Sequence, residues 1–221
     1  EAPSAAVPFV SADMATCEDC RREIRDPADR RYQYPFTNCT NCGPRYTIIR
    51  QTPYDRQSTT MEAFPMCAAC RSEFDDPANR RFHAQPNACP VCGPKYYLMD
   101  RQGSALPVES GQNIFAQTRK LLQSGKIVAI KGLGGFHLAC DAKNETAVAT
   151  LRQRKIREDK PFAVMAGSLA AVRQFCHVSA AEQELLAGTV RPILLLDKAE
   201  PYDLADSVAP GNPRIGVMLP Y

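Results

Sequence analysis

The 221 residues contain no tryptophan and no apolar run near the roughly 20 residues that a membrane-spanning helix needs. No membrane role is expected on that ground. The opening stretch Glu1–Val10 lacks a basic start and has too short an apolar core for a secretory leader. Neither GxGxxG nor a P-loop occurs, so the common nucleotide fingerprints are missing. No Ser–His–Asp or paired-carboxylate arrangement competes for a hydrolytic reading. The two signs of charge nearly balance, 27 Lys/Arg against 24 Asp/Glu, for a net of +3. From Cys17 to Leu98 there are 12 Lys/Arg against 10 Asp/Glu, far from the marked basicity of a segment that grips nucleic acid.

Cysteine, by contrast, is abundant and ordered. Cys17-x-x-Cys20 is followed after eighteen residues by Cys39-x-x-Cys42, and Cys67-x-x-Cys70 after eighteen by Cys89-x-x-Cys92. Each cysteine of the first copy stands 50 positions before its counterpart. Arg21, Glu23, Asp26, Pro27, Arg30, Arg31, Gly43, Pro44 and Tyr46 recur at the same offset as Arg71, Glu73, Asp76, Pro77, Arg80, Arg81, Gly93, Pro94 and Tyr96. This is a tandem duplication. Two residues between cysteines let both sulfurs face one ion, and a second such knuckle closes a tetrahedral four-sulfur zinc site. A disulfide framework is the competing reading, and an iron–sulfur cluster a weaker rival that uses tighter cysteine runs. The expectation is two structural zinc ions on Cys17, Cys20, Cys39, Cys42, Cys67, Cys70, Cys89 and Cys92. Whether each repeat holds its own ion or the repeats exchange knuckles stays open. Thiolates kept for metal suggest a reducing compartment, the cytoplasm. Two zinc–tetrathiolate centres would turn the net charge of this segment slightly negative.

The chain opens on Glu1 and ends on an apolar strand without an evident capping element, which suggests a piece of a longer polypeptide. Residues 1–16 read as a linker, 17–98 as the zinc region (17–42 and 67–92), and 112–221 as an α/β domain incomplete at its C-terminus. Thr47–Pro65 should be extended or turning, and Arg101–Gly111, rich in Gly, Ser and Pro, a boundary. Gln112–Gln123 patterns as a helix closing at Gly125. Ile127–Ile130 and Ile193–Leu196 read as buried strands, Phe162–Ala166 and Arg214–Leu219 as further strands. Asn144, Ser168 and Ser179 start helices, with a capping box at Ser179-x-x-Glu182, and Pro161 should end the helical region that Asn144 opens. Three features of this half could carry chemistry: Gly132-Leu133-Gly134-Gly135 after a strand, the cations Arg152, Arg154, Lys155, Arg157 and Lys160, and His137. The bland readings are a tight turn, a solvated helix end and a structural histidine. Cys140 and Cys176 lack CxxC partners and read as buried thiols.

The doubled motif through Cys92-Gly93-Pro94 resembles the paired zinc fingers of the hydrogenase maturation carbamoyltransferase family HypF. Leu138-Ala139-Cys140-Asp141-Ala142, Lys155-Ile156-Arg157, Lys160-Pro161 and Ile215–Pro220 resemble the beginning of a YrdC-like domain. Lys131-Gly132-Leu133-Gly134 stands where stand-alone YrdC proteins have a Pro-Thr-Glu-Thr loop, and Met218 where they have arginine. Both departures suit the HypF branch. The resemblance implies an α+β chain: zinc-ribbon-like tandem repeats followed by a truncated YrdC-like domain with a twisted mixed sheet. It implies ATP, with Mg, and carbamoyl phosphate as substrates, a carbamoyl-adenylate intermediate, and transfer to the C-terminal cysteine of HypE for cyanide ligand synthesis. Lys155, Arg157 and Lys160 would then meet ATP, with Lys131 and His137 as carbamoyl or phosphate contacts. The fragment alone is not expected to complete that reaction. The alternative is an RNA-binding zinc-ribbon/YrdC module, which the small positive charge of the repeats counts against.

Overall fold

The computed structural model describes residues 10–107 and 113–221. The first nine residues of the expected linker, and Gln112 at the expected start of the second domain, lie outside them. The chain forms two compact units, the first running to Lys95 and the second from Tyr96 to Pro220.

In the first unit each repeat follows the same path. A knuckle opens a short helix, a turn carries the Arg-Arg pair, and a second knuckle ends at glycine. Helix α1 is Glu18–Arg25 and α2 is Ala68–Asp75, with Cys17 and Cys67 in extended backbone as their N-caps. Asp26 and Asp76 end these helices, and their carboxylates accept from the Ala28 and Ala78 amides, the local turn chemistry that Asp-Pro suits. The segment between the repeats, expected to be extended or turning, turns. It forms 3-10 turns at Arg56–Ser58 and Thr60–Ala63. The reason is Met61, buried with Tyr34, Ile48 and Ala88, together with the Arg56 guanidinium, which donates to the carbonyls of Gln85, Asn87 and Phe64.

The second unit opens with a tight turn, Asp100–Gly103, and continues with helix α3, Ile114–Gln123, capped by Asn113 and closed by Gly125 at φ +78°. Strands β1 (Val128–Lys131) and β2 (Phe136–Ala139) form an antiparallel hairpin. Helix α4, Glu145–Arg154, starts where the Asn144 side chain accepts from the Ala147 amide and buries Ala147, Val148 and Leu151. It ends well before Pro161, because Ile156 takes a left-handed turn at φ +49°. Strand β3 (Ala163–Met165), helices α5 (Leu169–Val172) and α6 (Ala180–Ala187), β4 (Leu194–Asp197) and β5 (Arg214–Met218) follow. The three strands form a mixed sheet in the order β3-β5-β4, parallel on one side of β5 and antiparallel on the other. Ile215 and Val217 on the central strand anchor a core with Val164, Val172, Leu186, Leu196 and Val208.

Two strands expected to be buried are not. Ile130 is 42% exposed because β1 pairs only with β2 among the described residues. On β4, which is an edge strand, Leu196 is buried while Leu195 is 66% exposed. An apolar run signals a strand but does not say what covers it. The capping box at Ser179 is present, with the Glu182 carboxylate accepting from the Ser179 amide at 2.8 Å. Ser179→Ala should therefore cost about 1 kcal/mol, read as a lower urea midpoint at unchanged m; a midpoint equal to wild type would show that α6 does not need its cap. Among the described residues no helix is long and apolar enough to cross a membrane.

Candidate metal centres and a basic turn

Backbone geometry brings the knuckles together before any metal is considered. Cys17 caps α1 and Cys20 lies on its buried face, while Cys39–Cys42 forms a tight turn in which the Asn41 amide points at the Cys39 sulfur, 3.3 Å away. Gly43 then reverses the chain at φ +96°, a region that favours glycine. Around this turn Cys17–Cys39, Cys39–Cys42 and Cys42–Cys20 sulfurs are 3.7, 3.8 and 3.5 Å apart. In the second repeat Cys67–Cys89, Cys89–Cys92 and Cys92–Cys70 are 3.8, 3.8 and 3.6 Å apart. A tetrahedron with zinc–sulfur bonds of about 2.3 Å has edges of about 3.8 Å, whereas a disulfide needs about 2.05 Å. All ten cysteines are free of disulfides. Two groups, Cys17/Cys20/Cys39/Cys42 and Cys67/Cys70/Cys89/Cys92, have the donors and spacing for one zinc ion each. Each repeat supplies all four sulfurs of its own centre, which closes the question of exchanged knuckles.

What the repeats do exchange is arginine. Arg31, 1% exposed, reaches into the second repeat: its Nε donates to the Ala88 carbonyl at 3.0 Å, and its guanidinium to both Glu73 oxygens at 3.0 and 2.6 Å and to Asn87 Oδ1 at 3.0 Å. Arg81, 3% exposed, makes the reciprocal contacts in the first repeat, from Nε to the Asn38 carbonyl at 3.0 Å and from its guanidinium to the Glu23 carboxylate. Their neighbours point at sulfur. Arg30 donates to Cys70 Sγ at 3.4 Å, and Arg80 to Cys20 Sγ at 3.1 Å. Burial works to raise the Glu73 carboxyl, but hydrogen bonds from Arg31 and Arg30 overcome it and hold it at about 2. Burial likewise opposes ionisation of Glu23, and Arg81 and Arg80 bring it below the usual carboxylate range. The packing is close, since a Cβ on Gly93 would lie 2.1 Å from Tyr34 Oη. The recurrence of Arg-Arg and Glu at the same offset was the visible signal for this clasp. No local pattern names its partners.

The second unit distributes its expected site residues over two places. Lys131 and His137 stand exposed on the hairpin, the Lys131 ammonium 5.0 Å from the Phe136 ring centre. Lys155, Arg157 and Lys160 lie on the turn after α4. There Arg152 is a strut rather than a ligand contact. Its guanidinium donates to the carbonyls of Ser207, Val208, Arg157, Glu158 and Lys160. Arg157 donates to the Lys160 and Pro161 carbonyls at 2.8 and 2.7 Å, and its guanidinium, like that of Arg152, lies 4.8 Å from the Phe162 ring centre. Lys155 and Lys160 stay exposed. An open cleft of about 320 Å³ beside the turn is lined by Gln153, Ile156, Arg157, Glu158 and Ser207 among others.

The HypF finger family matches residues 16–49 and again 66–99, and the Sua5/YciO/YrdC family, described as telomere recombination, matches residues 120–221. Over 213 residues the chain is 58% identical to carbamoyltransferase HypF2 of Cupriavidus necator, covering 96% of this chain and 26% of that protein. The chain matches the finger and YrdC-like region of HypF proteins. A crystal structure of full-length HypF in a phosphate- and nucleotide-bound form matches with a TM-score of 0.89 at 51% identity, over 97% of this chain and 27% of that one. The HypF-like chain thus spans about a quarter of the length of such relatives. Its second half is also similar to threonylcarbamoyl-AMP synthase of Bos taurus, 33% identical over 103 residues, which is 45% of this chain and 36% of that protein.

Proposed function

We propose that this chain is the adenylating portion of a carbamoyltransferase, with the first unit a scaffold closed on two structural zinc ions. Bound zinc supplies folding free energy there, and four sulfurs per ion leave no open coordination position for catalysis. The observation that carries the reading is the union, in one chain, of two HypF fingers with a segment similar to a synthase of a carbamoyl-AMP. The shared chemistry is activation of a carbamate by ATP. Water cleaves carbamoyl phosphate to inorganic phosphate and carbamate, the carbamate oxygen attacks the α-phosphorus of ATP, and the bond to pyrophosphate breaks. The thiolate of the C-terminal cysteine of HypE then takes the carbamoyl group and AMP leaves, in the course of [NiFe]-hydrogenase maturation.

Such a step needs little covalent help. Cations must align the triphosphate, with its Mg, and spread the developing charge. The turn after α4 suits that work: Arg152 and Arg157 hold its carbonyls, so Lys155 and Lys160 extend from a braced loop. Lys131 and His137 on the hairpin complete the proposed set as phosphate or carbamoyl contacts. The RNA-binding alternative gains nothing from the structure. Arg30, Arg31, Arg56, Arg80 and Arg81 of the first unit are all engaged within it, not free for phosphates.

Calorimetric titration of the zinc-loaded chain with Mg-ATP, with and without carbamoyl phosphate, tests the reading. One nucleotide should bind per chain. Lys155→Ala should weaken it roughly tenfold, as losing one charged hydrogen bond would, with an unchanged circular dichroism spectrum. Wild-type affinity in that variant would return the basic turn to a solvated helix end.

A further inference from the structure

The Arg-Arg pairs have no part in that chemistry, yet each guanidinium crosses to the opposite repeat. Arg80 Nη1 lies 3.1 Å from Cys20 Sγ and 4.0 Å from Cys17 Sγ, both of the first centre. Arg30 and Arg31 Nη2 lie 3.4 and 3.7 Å from Cys70 Sγ of the second. Glu73 and Glu23 orient these donors, at 2.6 Å to Arg30 and 2.5 Å to Arg80. Burying a tetrathiolate centre of charge about −2 is costly unless cations and donors face its sulfurs. Here those cations come from the other repeat, on the Asp-Pro turn that its own knuckle and helix shape. Backbone contacts tie the repeats together beside them: the Arg80 carbonyl accepts from both the amide and the hydroxyl of Thr40, at 3.2 and 3.1 Å.

We propose that each repeat's arginine pair is the charge-compensating outer shell of the other repeat's metal centre, so that the metal retention of each centre is set by the opposite repeat. Arg30 and Arg80 are positioning residues in this scheme. They hold no metal themselves but set the retention of a centre whose ligands lie some 40–60 residues away in sequence. Outer-shell partners of metal ligands typically govern about 10–100-fold in affinity. A change in one repeat should therefore appear at the opposite centre.

The inference rests on zinc occupying both groups, and the test separates the two claims. Zinc per chain is measured first by atomic emission; fewer than two would sink the zinc reading itself. The loaded Arg80→Gln and Arg30→Gln chains are then challenged with a chelator in the presence of a thiol-alkylating reagent, and the modified cysteines are mapped by mass spectrometry. The Arg30 and Arg80 side chains are 34% and 27% exposed, unlike the deeply buried Arg31 and Arg81. Arg80→Gln should expose Cys17, Cys20, Cys39 and Cys42 first, at about 10–100-fold lower chelator than wild type. Arg30→Gln should expose Cys67, Cys70, Cys89 and Cys92 first. Arg80→Lys, which keeps the charge without the fork, should fall between Gln and wild type. Loss from the mutated repeat's own centre, or simultaneous loss from both in the manner of general unfolding, would overturn the proposal.

Discussion

Cys20→Ala is expected to leave the chain with no more than one zinc ion and to unfold its first unit. Cys20 is fully buried, with its sulfur 3.5 Å from that of Cys42. Without it, three thiolates would have to share an ion that closes structural sites with four. Apparent zinc binding in small four-ligand domains is worth on the order of 10–16 kcal/mol and is folding free energy, comparable to the whole stability of a typical domain of about 5–15 kcal/mol. The apolar reserve is small: Tyr34, Ile48, Met61 and Ala88 are the buried members of the unit's main cluster. The checks are zinc content and far-UV circular dichroism, with loss of the α1 and α2 signal expected. Two zinc ions per chain in the variant would remove Cys20 from the ligand set.

Arg31→Ala should be nearly as damaging without touching a ligand. The side chain is buried and serves one carbonyl, one amide oxygen and a carboxylate of the other repeat. Truncation leaves Glu73, 19% exposed, with Arg30 at 2.6 Å and Arg81 at 3.8 Å but without its bidentate partner, and strands the Ala88 carbonyl and Asn87 Oδ1 without that donor. Breaking a buried pair in this way costs about 3–5 kcal/mol, more than the loss of a surface ion pair by severalfold. Urea unfolding of the zinc-loaded chain gives the number. Arg31→Lys should recover only part, because an ammonium cannot reproduce the fork that spans Glu73 and Ala88. A change under about 1 kcal/mol for the alanine variant would mean that water replaces the guanidinium and that the clasp is not tight.

Helix starts and metal knuckles were legible because their physics is short-ranged. Asn144, Ser168 and Ser179 each cap with an oxygen that accepts from an amide three residues ahead, and a pattern of that length can be seen in a string of letters. Burial was not legible in the same way. Ile127–Ile130 has the composition of a covered strand, yet Ile130, and Phe136 and Leu138 on the paired strand, are exposed, since cover depends on what else packs there. Arg152 and Arg157 looked like members of one cationic binding cluster. The fold turns both guanidiniums onto backbone carbonyls and leaves Lys155 and Lys160 facing solvent.

By itself the amino-acid sequence singled out eight cysteines as candidate zinc ligands, because CxxC geometry is local and the 50-residue repeat shows it twice. It also determined the helical caps and the order of the two units. Only the tertiary structure decided that each repeat holds its own sulfurs while lending its arginines to the other. Two identical motifs are interchangeable on paper, and the choice between them is made by distances across a packed interface, where a guanidinium 3.1 Å from a sulfur of the other repeat is worth more than any neighbour in sequence.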